Sequence, residues 1–207
     1  MEVNKIYCGD CIEIMKGIPD KSIDLIVTDP PYGITKSDWD KVPGKEYFDE
    51  IFRISKEQLF FGGQFFDLPK KEGWIIWNRR MDWMKKKFTR SDVNDADLIW
   101  ISKKIKTKII DFHYWGNVQG FKGEPLKPDY RIKKTIFTSQ KPIKLVRYLI
   151  ETYFNDAKLI LDPFLGSGTT AVACKELGRN YIGIEISPEY CEIARNRIKA
   201  IPELLFK

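Results

Sequence analysis

The strongest constraint on the fold is a strand that ends in two prolines. Residues 22–28 are β-branched and mostly apolar, which predicts a buried strand, and Asp29-Pro30-Pro31-Tyr32 follows directly. Because proline fixes φ and has no backbone N–H, Pro30 and Pro31 end the strand and hold an extended turn. Ligands bind at the carboxyl ends of strands in open α/β sheets, so this turn is a candidate ligand site. A structural turn with an exposed Asp29 and a packed Tyr32 is the alternative that this motif alone leaves open.

Length and composition favour one globular domain. The chain has 207 residues, of which 43% are hydrophobic and 31% charged, so it can form a substantial core and accommodate an insertion. No apolar run approaches the roughly 18 residues of a membrane span, and the first residues do not form a signal peptide. We therefore expect a cytoplasmic protein with no membrane contact and with reduced cysteines. The formal charge of +6 allows a polyanionic partner without requiring one.

The first strand and helix place an acidic residue near the proline turn. Residues 5–8 predict a short strand, and Asp10 can cap a helix over residues 11–16. Asp10 thus ends a strand that can lie beside the strand of Asp29. Cys8 and Cys11 have C-x-x-C spacing, but no second close pair completes a metal site, so no metal or redox site is predicted.

A second motif follows a strand near the end of the chain. The strand over residues 159–161 leads into Asp162-Pro163-Phe164-Leu165-Gly166-Ser167-Gly168-Thr169-Thr170, then a helix over 171–177 and a strand over 181–186. Gly166 and Gly168 permit positive φ and close backbone approach. Thr169 and Thr170 begin a helix, where amides and hydroxyls can hold a carboxylate. Glu185, 19 residues after Gly166, ends a strand where a carboxylate can bind ribose hydroxyls. No Gly-Lys-Ser/Thr follows, so this is not a Walker phosphate loop.

The middle of the chain is basic and aromatic. Between residues 79 and 108 there are ten Lys or Arg against four Asp or Glu, and the aromatic residues interleaved with or just after this stretch are Trp83, Phe88, Trp100, Phe112, His113, Tyr114 and Trp115. This pattern is typical of a nucleic-acid surface, with Lys103, Lys104, Lys106 and Lys108 as candidate phosphate contacts. The alternative is a solvated lysine-rich face around core aromatics. Residues 116–134 are rich in Gly and Pro, as an inserted recognition loop would be.

The remaining segments connect these motifs. Residues 33–46 form a polar loop directly after the proline turn, and a mobile lid and a solvated loop are both compatible with the sequence. The spacing of apolar residues predicts a helix over 47–55 and strands over 58–61 and 74–77. Gln140-Lys141-Pro142 predicts the start of a further helix, with Pro142 near its first turn.

Taken together, the two motifs resemble those of the S-adenosylmethionine-dependent DNA amino-methyltransferases. The proline motif precedes the glycine motif, an order similar to that of the beta class of this family. Further matches are Gly9-Asp10-Cys11, Gln140-Lys141-Pro142 and Tyr181-Ile182-Gly183-Ile184-Glu185. Residues 58–77 resemble those of the compact phage-type adenine methylases. Gln64 stands where an Asn is more usual, and Thr138-Ser139 where His-Pro-Thr usually precedes Gln-Lys-Pro.

The resemblance implies a fold and a set of roles. The implied fold is α/β, with a doubly wound Rossmann-like sheet that is mostly parallel with an antiparallel strand and has helices on both faces. Residues 1–207 form a single catalytic domain, and a target-recognition region is inserted in it at residues 79–138. The implied catalytic residues are Asp29, Pro30, Pro31 and Tyr32. The implied residues for binding S-adenosylmethionine are Asp10, Lys141, Asp162, Phe164, Gly166, Gly168, Thr169, Thr170 and Glu185. Double-stranded DNA is the implied partner, and a homodimer is an assembly that the family allows.

The base that is modified is the least constrained part of this interpretation. Asp rather than Ser before Pro-Pro-Tyr favours the exocyclic amine of adenine over that of cytosine, as a tendency of the family. Methylation of a cytosine ring carbon would need a cysteine nucleophile after a proline, and the chain contains no Pro-Cys pair. An RNA or protein-amide methyltransferase and an inactive DNA-binding module are the alternatives from other classes.

Overall fold

Strands from both halves of the chain form one sheet. The computed structural model describes residues 1–35, 37–79, 96–115, 118–124, 127–128 and 140–202. Within these residues the strands are β1 Lys5–Cys8, β2 Ile23–Thr28, β3 Ser55–Phe61, β4 Ile75–Asn78, β5 Ala96–Ile101, β6 Lys108–Trp115, β7 Val118–Phe121, β8 Lys127–Pro128, β9 Leu159–Asp162 and β10 Asn180–Glu185. The α-helices are α1 Cys11–Met15, α2 Lys45–Ile54, α3 Ile143–Tyr153, α4 Thr169–Glu176 and α5 Pro188–Lys199, and a 3₁₀ turn covers Gly63–Phe65.

The strand order confirms the doubly wound, mostly parallel sheet that the sequence predicts. The order is β1-β10-β9-β2-β3-β5-β4-β6-β7-β8, and the pairings from β1 through β3 are all parallel. Strand β5 is antiparallel to both β3 and β4, while β4 and β6 are parallel. Strands β6, β7 and β8 add two further antiparallel pairings, so the described sheet contains more antiparallel structure than the one strand expected.

Helices cover both faces of the sheet. Buried residues of α3, α4 and α5 pack in one core cluster with Leu25 and Val27 of β2. Buried residues of α1 and α2 pack in a second cluster with Ile23 and Ile26 of the same strand. Since β2 lies between β9 and β3 and is covered on both faces, Leu25, Ile26 and Val27 are consecutive buried apolar residues rather than an alternating pattern. None of the described helices has the length and apolar character that a membrane crossing requires.

Local signals in the sequence account for most helix boundaries. The Asp10 side chain accepts a hydrogen bond from the Glu13 amide at 3.0 Å, and the Ser187 side chain accepts one from Tyr190 at 3.4 Å, so both residues cap helices as expected. Gly178 closes α4 with a φ of +64°, and the helix itself begins at Thr169. Pro142 is the N-cap of α3, next to its first turn as expected, and the helix itself begins at Ile143, so Gln140 and Lys141 precede it.

The parallel strands bring the predicted acidic residues to one edge. Strands β1, β10, β9, β2 and β3 point the same way, so their carboxyl ends meet at what we call the carboxyl edge of the sheet. Asp10 follows β1, Glu185 ends β10, Asp162 ends β9 and Asp29 follows β2. The opposite edge, where these strands begin, is called the amino edge.

The lysine run follows β5 and begins β6, on the far side of β3 from the catalytic turn. Because β5 runs antiparallel to β3, the chain leaves β5 towards the amino edge, where the Ser102 amide donates to the carbonyl of Gln58, midway along β3, at 2.9 Å. Lys103 lies 3.6 Å from Asp156, just before β9 begins, and Lys104 lies 3.0 Å from Glu72.

The last lysine of the run lies at a different level along the strands. Lys108 begins β6 opposite Ile75 of β4, in the same row as Ile99 of β5 and Phe61, the last residue of β3. Lys108 is therefore level with the carboxyl edge.

Parts of the predicted recognition region lie outside the described residues. These include Trp83, Phe88, the arginines and lysines at 80 and 85–90, most of the Gly/Pro-rich stretch over residues 116–134, and Thr138-Ser139. The remainder of the region contributes β5, β6, β7 and β8 to the sheet.

Candidate active site

The turn after β2 places Asp29 at the centre of a small polar cluster. Tyr32 donates its hydroxyl hydrogen to one carboxylate oxygen of Asp29, and the Lys141 ammonium donates to the other. The side chain of Lys141 is only 13% exposed, and its nitrogen lies 5.7 Å and 5.4 Å from the ring centroids of Tyr32 and Phe61. Asp29 therefore has a donor on each oxygen, while each oxygen retains further capacity to accept.

Tyr32 is held by stacking and by a glycine. Its ring stacks on Phe65 with centroids 4.7 Å apart and planes 20° from parallel. A Cβ at Gly62, whose φ is +65°, would overlap the Tyr32 ring, so this close approach requires glycine. Burial, followed by the nearby charge of Asp29, raises the pKa of Tyr32 far above its ordinary value. The phenol thus stays protonated and remains a hydrogen-bond donor to Asp29.

The loop after Tyr32 is tied to the catalytic turn by Asp40. The Asp40 carboxylate is buried and accepts hydrogen bonds from the amides of Tyr32 and Gly33, both at 2.9 Å, and of Thr35 at 2.6 Å. Burial opposes ionisation of this group, but the amide hydrogen bonds outweigh it and keep the pKa of Asp40 below its ordinary value. The sequence left open whether residues 33–46 are a lid or a solvated loop, and it did not single out Asp40.

The glycine turn is organised by Glu185. The Gly166 amide donates to one carboxylate oxygen of Glu185 at 2.7 Å, and the Ser187 amide donates to the other at 2.9 Å. Gly166 and Gly168 both have positive φ, at +54° and +90°. A Cβ at Gly168 would lie 2.7 Å from that of Ala194, whereas at Gly166 no described atom lies within 4 Å of that position. Gly168 thus serves close packing with α5, and Gly166 borders open space.

Asp162 and Thr170 stabilise the glycine turn through internal hydrogen bonds. The Asp162 carboxylate accepts hydrogen bonds from the Phe164 amide at 3.1 Å and from the Thr170 hydroxyl at 2.6 Å. Asp162 and Thr170, both expected to contact a ligand, thus form a hydrogen bond with each other. Within the described part of the chain, the buried hydroxyl of Thr169 has no hydrogen-bond partner. Of the two threonines, Thr169 therefore offers the hydroxyl that a ligand can satisfy.

The structure links the two motifs through residues 140 and 141. The Ser167 hydroxyl of the glycine turn donates to the Gln140 side chain at 3.1 Å, while the adjacent Lys141 contacts Asp29. The sequence analysis placed Lys141 with the cofactor residues by resemblance, but it did not predict the contact with Asp29. No local pattern could reveal a pair that is 112 positions apart in the chain.

Apolar groups complete the carboxyl edge near Glu185. Phe164 is partly buried, with its ring centroid 5.2 Å from that of Tyr47, and Ile186 is largely exposed directly after Glu185. Ile186 was missed because an apolar residue at a strand end resembles any other strand residue. In the described parts of the chain, no group of three His, Cys, Asp or Glu side chains is arranged to hold a metal ion.

Replacing Asp162 by Asn should flatten the pH dependence of stability between about pH 4 and pH 7. Burial raises the pKa of Asp162 from an ordinary value of 3.8 to about 7. Between these values the unfolded chain has released a proton that the native chain retains, so the free energy of unfolding falls as pH rises and levels off above pH 7. Asn keeps both hydrogen bonds but carries no titrating group.

The measurement is urea unfolding of the parent and the Asp162→Asn variant at several pH values. The difference between their free energies of unfolding is then followed as a function of pH. Asp156→Asn, which alters an exposed carboxyl at the amino edge, is the matched control and should leave the parental profile unchanged. Parallel curves for the parent and Asp162→Asn would show that this carboxyl does not titrate in the window.

Comparisons with known proteins all match this chain to DNA methyltransferases. A family model described as DNA methylase, for N6 and N4 methyltransferases, matches residues 51–196. The Type II methyltransferase M.HinfI of Haemophilus influenzae is 30% identical over 96% of this chain and 69% of its own length. The Type II methyltransferase M.BglII of Bacillus subtilis is 26% identical over 97% of this chain and 70% of its own length.

Solved structures of methyltransferases also superimpose on this chain. The crystal structure of an M1.HpyAVI–SAM complex superimposes with a TM-score of 0.62 at 29% identity, covering 93% of this chain and 98% of that one. The PvuII DNA methyltransferase, described as cytosine-N4-specific, has a TM-score of 0.59 at 20% identity, covering 96% and 88% of the two chains. At that identity the second structure supports the fold alone.

Proposed function

Since the chain belongs to the DNA methylase family of N6 and N4 amino-methyltransferases, we propose that it methylates the exocyclic amine of adenine within a specific sequence of double-stranded DNA. The coarser statement, that it is an S-adenosylmethionine-dependent DNA methyltransferase, follows from the family. The observation that carries the proposal is the cluster of Asp29, Tyr32 and Lys141 at the same edge of the sheet as the glycine turn. The Type II relatives support a role in restriction–modification.

The turn at Asp29 is suited to orient an amine. An exocyclic amine on a base is a poor nucleophile because its lone pair is delocalised into the ring. Hydrogen bonds from this amine to Asp29 and to the Pro30 carbonyl would favour a pyramidal nitrogen and aim its lone pair. Orientation of this kind lowers reaction barriers by several kcal/mol, on the order of the effects known for intramolecular reactions. The amine of a stacked base is out of reach, so the base must leave the duplex, and Tyr32 then offers it an aromatic face.

The glycine turn and its neighbours fit the cofactor. S-adenosylmethionine, when bound, supplies an electrophilic methyl group on a sulfonium. The unpartnered hydroxyl of Thr169 and the open space at Gly166 fit a ligand on the turn. We assign Glu185 to the ribose, Asp10 and Phe164 to the adenine, and Lys141 to the side nearest the catalytic turn. Each Glu185 oxygen accepts one amide and can accept a further hydroxyl.

Three finer assignments complete the proposal. Adenine is preferred over cytosine because Asp29 rather than Ser precedes Pro-Pro-Tyr, and the N4-cytosine reaction is the second candidate. Residues 79–138 are proposed as the target-recognition region of a single catalytic domain. A homodimer is proposed on the family resemblance alone.

The identity of the product tests the proposal directly. Duplex DNA is incubated with the protein and S-adenosylmethionine, digested to nucleosides and analysed by mass spectrometry. We expect N6-methyladenine, and sequencing of the methylated DNA would then map the target site. N4-methylcytosine would correct the base while retaining the enzyme class. Transfer of a labelled methyl group to RNA or protein, and not to DNA, would overturn the proposal.

Replacing Lys103 and Lys104 together by Gln should leave the salt dependence of DNA binding unchanged. Both lysines lie towards the amino edge, where they pair with Asp156 and Glu72. Each phosphate contact that is lost would flatten the slope of log affinity against log salt by about 0.9. Fluorescence anisotropy with a DNA duplex at several salt concentrations measures this slope.

The comparison variant for this experiment is Arg79→Gln. Arg79 follows β4 at the carboxyl edge, over the ring of Trp77 and 3.5 Å from Asp97. We expect this single change to flatten the slope by about one contact. A flatter slope for the double variant and an unchanged one for Arg79→Gln would place the DNA surface towards the amino edge.

A further inference from the structure

Exposed apolar side chains are concentrated in the loop that follows the catalytic turn. In residues 33–44, Trp39 is 67% exposed, Ile34 is 62% exposed and Val42 is 46% exposed. Scattered exposed apolar residues are normal, but a tryptophan this exposed beside a catalytic turn is not explained by packing. Among the described residues, the Trp39 ring makes no contact with another aromatic ring, in contrast to Tyr32 on Phe65.

The backbone that carries Trp39 is fixed to the catalytic turn. Asp40, the next residue, is 6% exposed and binds the amides of Tyr32, Gly33 and Thr35. The Asp40 amide itself donates to the Ser37 carbonyl at 3.0 Å, which places Trp39 within a closed turn. The ring is therefore presented to solvent from a constrained backbone, ten residues after Asp29, rather than from a free loop.

The DNA substrate supplies an occupant for this ring. If the target base leaves the duplex to reach Asp29, as the proposed function requires, the base stack is left with a gap. Unstacking is costly, and proteins that distort DNA offset that cost by inserting apolar side chains between base steps. Beside Asp29, the rings of Tyr32 and Phe61 lie 5.7 Å and 5.4 Å from the Lys141 nitrogen, so the catalytic turn is bordered by aromatic side chains. An exposed ring adjoining that turn is placed to meet the duplex itself.

We propose that Trp39 is the wedge that enters the DNA stack and fills the space left by the extruded base. This inference rests on the proposed function, because it assumes base extrusion towards Asp29. It assigns Asp40 a positioning role, since the three amide bonds hold the wedge beside the catalytic turn. Ile34 and Val42 would then form the apolar flanks of the same contact.

The test compares two DNA duplexes that carry the mapped target site. In one duplex the target base is paired, and in the other it faces an abasic position. In the second duplex, extrusion of the target base breaks no base pair and leaves no unpaired partner base whose stacking must be supported. For Trp39→Ala, we expect kcat/KM for methyl transfer to fall by about tenfold to a hundredfold on the paired duplex, the loss typical of one base–aromatic stack. On the abasic duplex we expect a loss of less than about threefold.

Two variants keep the result specific. Trp39→Phe retains a stacking ring and should recover most of the activity on the paired duplex. Val3→Ala removes an exposed apolar side chain, 45% exposed, just before β1 at the amino edge, and should behave as the parent on both duplexes. Because Trp39 is exposed, its replacement should leave thermal unfolding unchanged, which circular dichroism checks.

The outcomes distinguish failure of the wedge proposal from failure of the proposed function on which it rests. Equal losses on both duplexes would place Trp39 on the extruded base or the DNA backbone, and no loss on either would remove it from the interface; both overturn the wedge. A parent that methylates neither duplex would overturn the proposed function, and the wedge would fall with it.

Discussion

Asp29→Ala is expected to abolish methyl transfer to DNA while binding of S-adenosylmethionine persists. In the proposed mechanism the carboxylate is the acceptor that orients the target amine, and loss of such an orienting group costs about a hundredfold to a thousandfold in rate or more. The glycine turn and Glu185 are held by their own hydrogen bonds, none of which involves Asp29. Transfer of a tritiated methyl group measures the reaction, and isothermal titration calorimetry measures cofactor affinity.

The control for Asp29 must separate chemistry from folding. Asp29→Asn keeps the shape of the side chain but replaces one acceptor by a donor, which cannot accept from Lys141, so it should also be inactive. Asp49→Ala removes an exposed carboxyl on α2 and should retain parental activity. Thermal unfolding shows whether either Asp29 variant is folded. A rate near the parental one for Asp29→Ala would show that the catalytic motif is wrongly assigned.

The contact between Lys141 and Asp29 adds a condition to this mechanism. A carboxylate offers about four lone-pair positions, of which Tyr32 and Lys141 each use one in the structure. The target amine must therefore share the carboxylate with an ammonium group or displace it. The same two donors also fix the carboxylate plane, so that Asp29 is oriented before the amine arrives.

The carboxyl edge of the sheet could be predicted because its determinants are local. Each acidic residue there follows a short apolar strand, and parallel strands bring such positions together. The turn at Asp29 and the turn at Gly166 are both specified by proline and glycine within a few residues. Sequence and structure therefore agree that Asp10, Asp29, Asp162 and Glu185 lie along one edge. The expectation that the strand of Asp10 lies beside that of Asp29 is wrong, because β10 and β9 separate β1 from β2.

The contacts within the site could not be predicted because they join distant or unpatterned residues. Asp40 lies in a loop without periodicity, and its three amide partners are defined only once the turn has folded. The position of the lysine run could not be predicted for a different reason. A count of charges gives no direction, and the antiparallel course of β5 carries Lys103 to the edge opposite the site.

Glu185→Ala is expected to weaken binding of S-adenosylmethionine by about tenfold to a hundredfold. A carboxylate that accepts ribose hydroxyls contributes charge-assisted hydrogen bonds of roughly 1.5–3 kcal/mol, and about 1.4 kcal/mol corresponds to a factor of ten. The same change leaves the amides of Gly166 and Ser187 without their acceptor. We therefore also expect a loss of stability of about 1–3 kcal/mol.

The two effects of Glu185 can be separated with a second variant and a control. Glu185→Gln keeps one oxygen for an amide and loses the charge, so its stability should lie between those of the parent and Glu185→Ala, while its cofactor affinity stays low. Glu192→Ala removes a carboxyl on α5 that is 65% exposed and should change neither quantity. Calorimetric titration gives the dissociation constants, and urea unfolding gives the stabilities. A dissociation constant unchanged in Glu185→Ala would remove this residue from the cofactor site and leave it as the brace of the glycine turn.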